Sequence, residues 1–198
     1  VGSAIENARL FEETKNRTRQ IETLSRVSSA IVSHQFLDEM LDLIVTMTAE
    51  TLGSKVCSIM LLGPGKKELV IKATQSASSE YRHKAPLKVG SSVSGKAVLT
   101  RQPVIVPDVT RDGSYGYPDI ARKEGLCSLL CVPMMIKDRV VGVINAYTSK
   151  PHLFTKHEID LMKSIANQAA VAIEHTALLD EANTARAALE SRKNVERA

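Results

Sequence analysis

Three cysteines, five histidines and one glycine-rich loop are the features of this 198-residue chain whose residue types and spacing suggest chemistry. Cys57, Cys127 and Cys131 sit inside apolar runs. An odd number of thiols in such surroundings reads as reduced core cysteines rather than a disulfide framework. Cys127 and Cys131 share the strand-like run "LCSLLCVPMMI", where four residues of extended chain hold their Cα atoms ~13 Å apart on one face. A disulfide needs roughly 4.4 to 6.8 Å, and joint ligation of one metal ion fails on the same distance. His34, His83, His152, His157 and His175 are dispersed. No pair has helical metal-ligand spacing in a convincing site, so they read as surface histidines and no metal is expected. "GSSVSGKA", Gly90 to Ala97, follows the phosphate-loop spacing through Gly95 and Lys96, but Ala97 stands where a hydroxyl would hold magnesium. No parallel βαβ unit surrounds it, which removes nucleotide hydrolysis. No catalytic residue is assigned.

The elements that must position these residues follow from periodicity. From Ile5 to Ile31 there is no proline or internal glycine, and Leu10, Ile21, Leu24, Val27 and Ile31 recur at helical steps. The middle of this helix, "ETKNRTRQ", is polar all round, which suits either a linker helix pairing with its copy in a dimer or a solvated helix. A second helix is predicted in "FLDEMLDLIVTMTAETLG", stopped by Gly53. "SKVCSIMLLGPGKKELVIKAT" reads as an antiparallel hairpin turning at Gly63, Pro64 and Gly65. "QSASSEYRHK" loops away, "SVSGKAVLTRQ" forms a short helix, and "PVIVPD" is a strand ending at Pro107. A loop from Val109 to Gly125 contains a helical turn at "PDIARKEG". A hairpin of "LCSLLCVPMMI" and "RVVGVINAYTS" closes the core around Lys137 and Asp138. A long helix starts near Thr155, a good N-cap with Glu158 three residues later. Strands joined by hairpins and helices grouped at the ends indicate an α+β fold with a largely antiparallel sheet.

Composition supports one globular core with helical extensions, since 43% of the residues are hydrophobic. The formal charge of +4 is spread along the chain rather than clustered with aromatics, so nothing marks a nucleic-acid groove. No apolar run reaches the roughly 20 residues of a membrane span and no signal peptide is evident. The expectation is a cytoplasmic segment. The chain opens on Val1 and stops at Ala198 within a charged helical pattern, which reads as a piece of a longer protein. "AIENARLFEE" near the start returns as "AIEHTALLDE" from Ala172 to Glu181. About one domain separates the copies, so the first reads as the exit helix of a preceding domain. The predicted organisation is a linker helix over 1–33, a globular domain over 34–180 and an exit helix over 181–198.

"VGSSVSGKAVLTRQPVIVPDV", followed by "GLCSLLCVPMMIKDRVVGVINAYTSKPHLFTKHEIDLMKSIANQAAVAIEH", resembles a GAF domain. The resemblance spans roughly Phe36 to Asp180. It implies a sheet of about six strands with the terminal helices on one face and a small-molecule pocket, or its vestige, under crossover loops on the other. It also implies a regulatory role in a dimeric, multi-domain bacterial signalling protein, in which GAF domains stand in tandem and "AIENARLFEE" ends the preceding one. At the other end, "ALESRKNVERA" resembles the opening of an ANTAR domain, an RNA-binding antitermination module. RNA is therefore a partner for a module beyond this chain, not for the chain itself; the alternative is a charged helix leading to a kinase or cyclase.

The family's variants differ in their residues. The free methionine sulfoxide reductases use cysteines in the glycine-helix segment and the following loop, where this chain has Ser94 and no thiol between Val109 and Gly125, so an enzyme is not expected. Cyclic-nucleotide binders carry an asparagine-lysine, phenylalanine and aspartate-glutamate signature that Lys150, Phe154 and Glu158 echo at the wrong spacing, with Ser149 in place of the asparagine. Bilin binders attach chromophore through a loop cysteine, and none lies between Cys57 and Cys127, so no covalent bilin is expected even though such proteins are sometimes termed phytochrome-like on fold alone. The candidate pocket comprises Asp108, Tyr115, Tyr117, Ile120 and Ser128, where a strand end and an aromatic loop converge. It holds either an unknown small molecule or those same side chains. The candidate dimer helix presents Leu10, Ile21, Leu24 and Ile31. The implied function is a non-catalytic sensory domain relaying a signal to an output module through dimeric helices; the alternative is a ligand-free dimerisation spacer, and a free methionine sulfoxide reductase is the less favoured one.

Overall fold

The computed structural model describes residues 36–195, with side chains described through 186 and at 188. The predicted dimer-helix positions Leu10, Ile21, Leu24 and Ile31 lie outside the described residues. The compact body is Leu37–His175; residues 36 and 176–195 belong to a second unit, in which the last helix continues.

Helix α1, residues 36–52, forms where Leu37, Leu41, Val45 and Ala49 recur every four residues and bury one stripe. It ends in a Schellman motif. Gly53 adopts φ +60°, the Ser54 N–H donates to Ala49 O at 2.8 Å, and the Gly53 N–H donates to Glu50 O at 3.3 Å. The strands are β1 (Val56–Leu62), β2 (Glu68–Thr74), β3 (Leu87–Lys88), β4 (Val104–Val106), β5 (Leu129–Ile136) and β6 (Arg139–Tyr147). They form one sheet in the order β3-β2-β1-β6-β5-β4, every neighbouring pair antiparallel. This is the predicted α+β architecture. Between the strands lie α2 (Ser79–Arg82), α3 (Val93–Thr100) and α4 (Pro118–Glu124), and α5 spans Lys156–Val195.

Strand alternation divides the interior into two cores. Cys57, Ile59, Leu130, Val132, Ile144 and Ala146 face α1 and α5, whose Leu41, Val45, Met162, Ala166 and Ala169 complete that layer. Val56, Met60, Leu129, Cys131, Val143 and Tyr147 face the opposite layer, built by α2, α3, α4 and their loops. The two strand faces therefore serve different partners, and a shift on one face is felt by backbone shared with the other.

Two sequence expectations change. "QSASSEYRHK" contains α2, capped by the Ser78 hydroxyl, which accepts from the Tyr81 N–H. Cys127 precedes β5 instead of lying in it. It is half-buried, with Sγ 3.8 Å from Pro107 O, whereas Cys57 and Cys131 are the buried thiols.

At the start of α5 the predicted capping box is present. The Glu158 N–H donates to Thr155 Oγ1 at 3.2 Å and the Thr155 N–H to Glu158 Oε2 at 2.6 Å. His152 Nε2 lies 2.8 Å from Glu158 Oε1. Burial opposes the Glu158 charge, but the Thr155 N–H, its hydroxyl and His152 outweigh burial and hold the carboxyl below its ordinary range. A depressed carboxyl adds stability that is present above its unfolded pKa and lost as pH falls through the folded value. Glu158→Ala is expected to cost about 1 kcal/mol at pH 7. Urea unfolding of both proteins should show that difference shrinking as the pH drops below the ordinary carboxylate range.

Candidate ligand-binding site

The layer under α2, α3 and α4 is polar at its centre, and sheet register explains why. Ser58 of β1 pairs with Asn145 of β6, and Asn145 pairs in turn with Cys131 of β5. One row across three central strands thus carries a hydroxyl, an amide and a thiol, all fully buried. From α3, Ser94 Oγ donates to Asn145 Oδ1 at 3.4 Å. Asn145 Nδ2 is buried and has no hydrogen-bond partner. A buried, unpaired amide costs roughly 1–3 kcal/mol, so stability alone does not account for an asparagine here.

Three tyrosines stand beside this row. Tyr81 of α2 and Tyr115 of the β4–α4 loop each meet Tyr147 of β6 edge-on, with centroids 6.1 and 6.2 Å apart. The Tyr81 hydroxyl lies 3.0 Å from Ser58 Oγ, and the Tyr115 hydroxyl donates to that of Tyr147 at 3.3 Å. Burial raises all three phenols, Tyr115 to about 12. They are neutral hydroxyls across the physiological range. Lys84 Nζ sits 4.0 Å from the centroid of the Tyr81 ring and 5.5 Å from that of Tyr117. Burial pushes the Lys84 amine down to about 7, while the two ring faces favour its charged form. The Tyr117 hydroxyl donates to Ala85 O and ties the segment before β3 to the β4–α4 loop.

Of the residues nominated from sequence, Tyr115, Tyr117 and Ile120 come together in this layer. Asp108 and Ser128 do not join them. Asp108 Oδ1 accepts from the Thr110 N–H at 2.9 Å and from its hydroxyl at 2.6 Å, a turn that keeps the carboxyl below its ordinary range. Ser128 Oγ donates to Pro107 O at 2.7 Å and accepts from the His152 N–H at 2.9 Å, stapling two loops. Sequence reasoning missed Tyr81, Lys84, Tyr147, Ser58 and Asn145. An asparagine and a tyrosine alternating with apolar residues in "VINAY" were the available signal.

A separate open cleft of about 510 Å³ lies outside α3, lined by Ser91, Lys96, Leu99, Ile105 and Ser114 among others. It contains none of the buried polar row, so the tyrosine layer is the candidate site. Among the described residues no three His, Cys, Asp or Glu side chains are grouped to hold a metal ion, and no helix is long and apolar enough to cross a membrane.

Known proteins resemble this chain along most of its length. It is 28% identical over 173 residues to the methyl sulfide methyltransferase-associated sensor of Methanosarcina acetivorans, covering 85% of this chain but only 17% of that relative. The GAF domain of a phosphoenolpyruvate-protein phosphotransferase from Coxiella burnetii superposes with a TM-score of 0.67 at 21% identity, covering 79% of this chain and 96% of that one. The free methionine-R-sulfoxide reductase of Neisseria meningitidis gives 0.61 at 20% identity, covering 72% and 81%. At such identities the two structures speak for the fold alone. The family model for the GAF domain matches residues 34–174, most of the chain. With its six-stranded antiparallel sheet, helical layer and crossover layer, the chain belongs to the GAF domain family.

Proposed function

We propose that this chain is a non-catalytic sensory domain, one module of a longer cytoplasmic signalling protein, which binds a small molecule in the tyrosine layer and relays the event to α5. The observation that carries this reading is the division of β1, β5 and β6. Asn145 and Tyr147 face the site while Ile144 and Ala146 on the same strand face the helical layer. A ligand that repositions the first pair moves the second through shared backbone, and α5 responds by shift or rotation. The sensor name of the Methanosarcina relative agrees. Against reductase chemistry, burial raises the Cys57 and Cys131 thiols to about 12, which leaves them protonated and poor nucleophiles.

The relay runs through a homodimer. Val171, Leu178 and Ala185 stand seven residues apart on α5, with His175 and Ala182 between them at heptad spacing. Val171 and Leu178 of this stripe are 63% and 57% exposed. A second copy of the same helix would cover it. The spacer reading draws support from the near-complete burial of Tyr81, Tyr115 and Tyr147, which fill the interior themselves.

A glycine pair inserted between Ala182 and Ala185 separates relay from folding. In the protein that carries this chain, the insertion is expected to abolish regulation of the output while the melting temperature of the domain stays within a degree or two of the parent's. Regulation that survives the insertion contradicts the relay.

A further inference from the structure

The tyrosine layer has one chemical bias: it offers donors and a cation and no acid. The buried polar side chains are hydroxyls and a single amide, with no Asp or Glu among them. Asn145 Nδ2 has two hydrogens and no acceptor. Lys84, half-buried on Tyr81 and Tyr117, has no carboxylate partner among the described residues.

Of the acids on α2, α4 and the β4–α4 loop, all but Glu124 are already engaged. Glu80 of α2 takes both carboxylate oxygens to Lys123 of α4 at 3.0 Å. Asp108 is held by Thr110 and Arg111, Asp112 accepts from the Ser114 N–H, and Asp119 pairs with Arg122. The other cations of the segment are likewise committed, Arg82 Nε to Ser76 O and His83 to Ser79. Lys84 is therefore a half-buried amine with no carboxylate partner among the described residues, standing over the Tyr81 ring, whose hydroxyl leads inward to Ser58 in the row of Asn145.

From this we infer that the ligand of the site is a small organic carboxylate, its charge met by the Lys84 ammonium and its apolar body laid against the Tyr81 and Tyr117 rings. This rests on the sensory reading above and narrows it. An incoming anion supplies the partner that Lys84 lacks, and hydrogen bonds from a charged donor to a carboxylate are the strong ones. Binding takes up a proton wherever the free amine is partly neutral, so affinity should fall as pH rises above about 7.

The test uses the 198-residue chain with acetate, butyrate and benzoate, each against its neutral amide, followed by NMR of the tyrosine rings. At least one carboxylate is expected to shift the Tyr81 and Tyr147 resonances, with its amide weaker by about tenfold or more. Lys84→Met should weaken that carboxylate by a similar factor, Lys84→Arg should retain it, and Lys163→Met, at an exposed lysine of α5, should leave it unchanged. Equal binding of acid and amide, or an unaffected Lys84→Met protein, overturns the anion inference and keeps the sensory reading. If no carboxylate binds, the inference also fails, and phenol and indole then decide the broader reading. Shifts from either keep a ligand site in this layer, and silence removes it.

Discussion

Gly95→Ala is expected to destabilise the domain by ~3 kcal/mol or more, at the upper end of what overpacking costs. A Cβ at this position would stand 2.0 Å from Val89 O, 2.5 Å from its carbonyl carbon and 2.6 Å from its Cα. All three are backbone atoms, so no side chain can rotate away. Either α3 lifts off the turn that precedes it or that turn moves, and both are fixed. The Ser92 hydroxyl accepts from the Gly95 N–H at 3.0 Å and donates to Lys88 O at 2.7 Å. The glycine that resembles part of a phosphate loop in sequence thus serves close packing of helix on backbone. Lifting α3 would also carry Ser94 away from Asn145, coupling the stability loss to the site. A loss of ~3 kcal/mol corresponds to about 6–12 °C in melting temperature for a domain of this size, readable by calorimetry. A change under 2 °C would mean that α3 docks more loosely than described.

Tyr147→Ala should cost about 4 kcal/mol, as for other large aromatic truncations in cores, while Tyr147→Phe should cost only about 1 kcal/mol. The ring is 2% exposed and is the shared neighbour of Tyr81 and Tyr115. Alanine removes both edge contacts and leaves a cavity between two rings that are held from different elements. Phenylalanine keeps the packing and forfeits only the hydroxyl contacts. The comparison decides which effect dominates. If the two variants unfold at the same urea concentration, hydrogen bonding and not packing holds the layer.

The main elements were legible because each carries a local signal of sufficient length. α1 shows a four-residue stripe ended by Gly53, β5 and β6 meet at the two-residue turn Lys137 and Asp138, and Thr155 with Glu158 announces α5. α2 and β3 were not legible, since four and two residues are too few to show a period and both are defined by what they pack against. The site was partly legible for a related reason. Tyr115, Tyr117 and Ile120 are near in sequence and share one loop and helix. Tyr81, Tyr147 and Asn145 reach the same place through contacts 23, 32 and 51 residues apart, which no short window contains. Asp108 and Ser128 stand at a strand end as expected, but their short side chains are consumed by local turns and staples. Periodicity predicts faces well and says little about which faces meet.

A small molecule held in the tyrosine layer of a dimeric sensory domain would leave its signature in mass. Native mass spectrometry of the purified chain, run gently enough to keep subunits and bound compounds together, tests it most directly. The expected result is a dimer that carries excess mass on each subunit, with that mass lost in Tyr147→Ala. A dimer at bare polypeptide mass would contradict the sensory reading and favour the helical spacer, and a monomer would contradict the relay through α5.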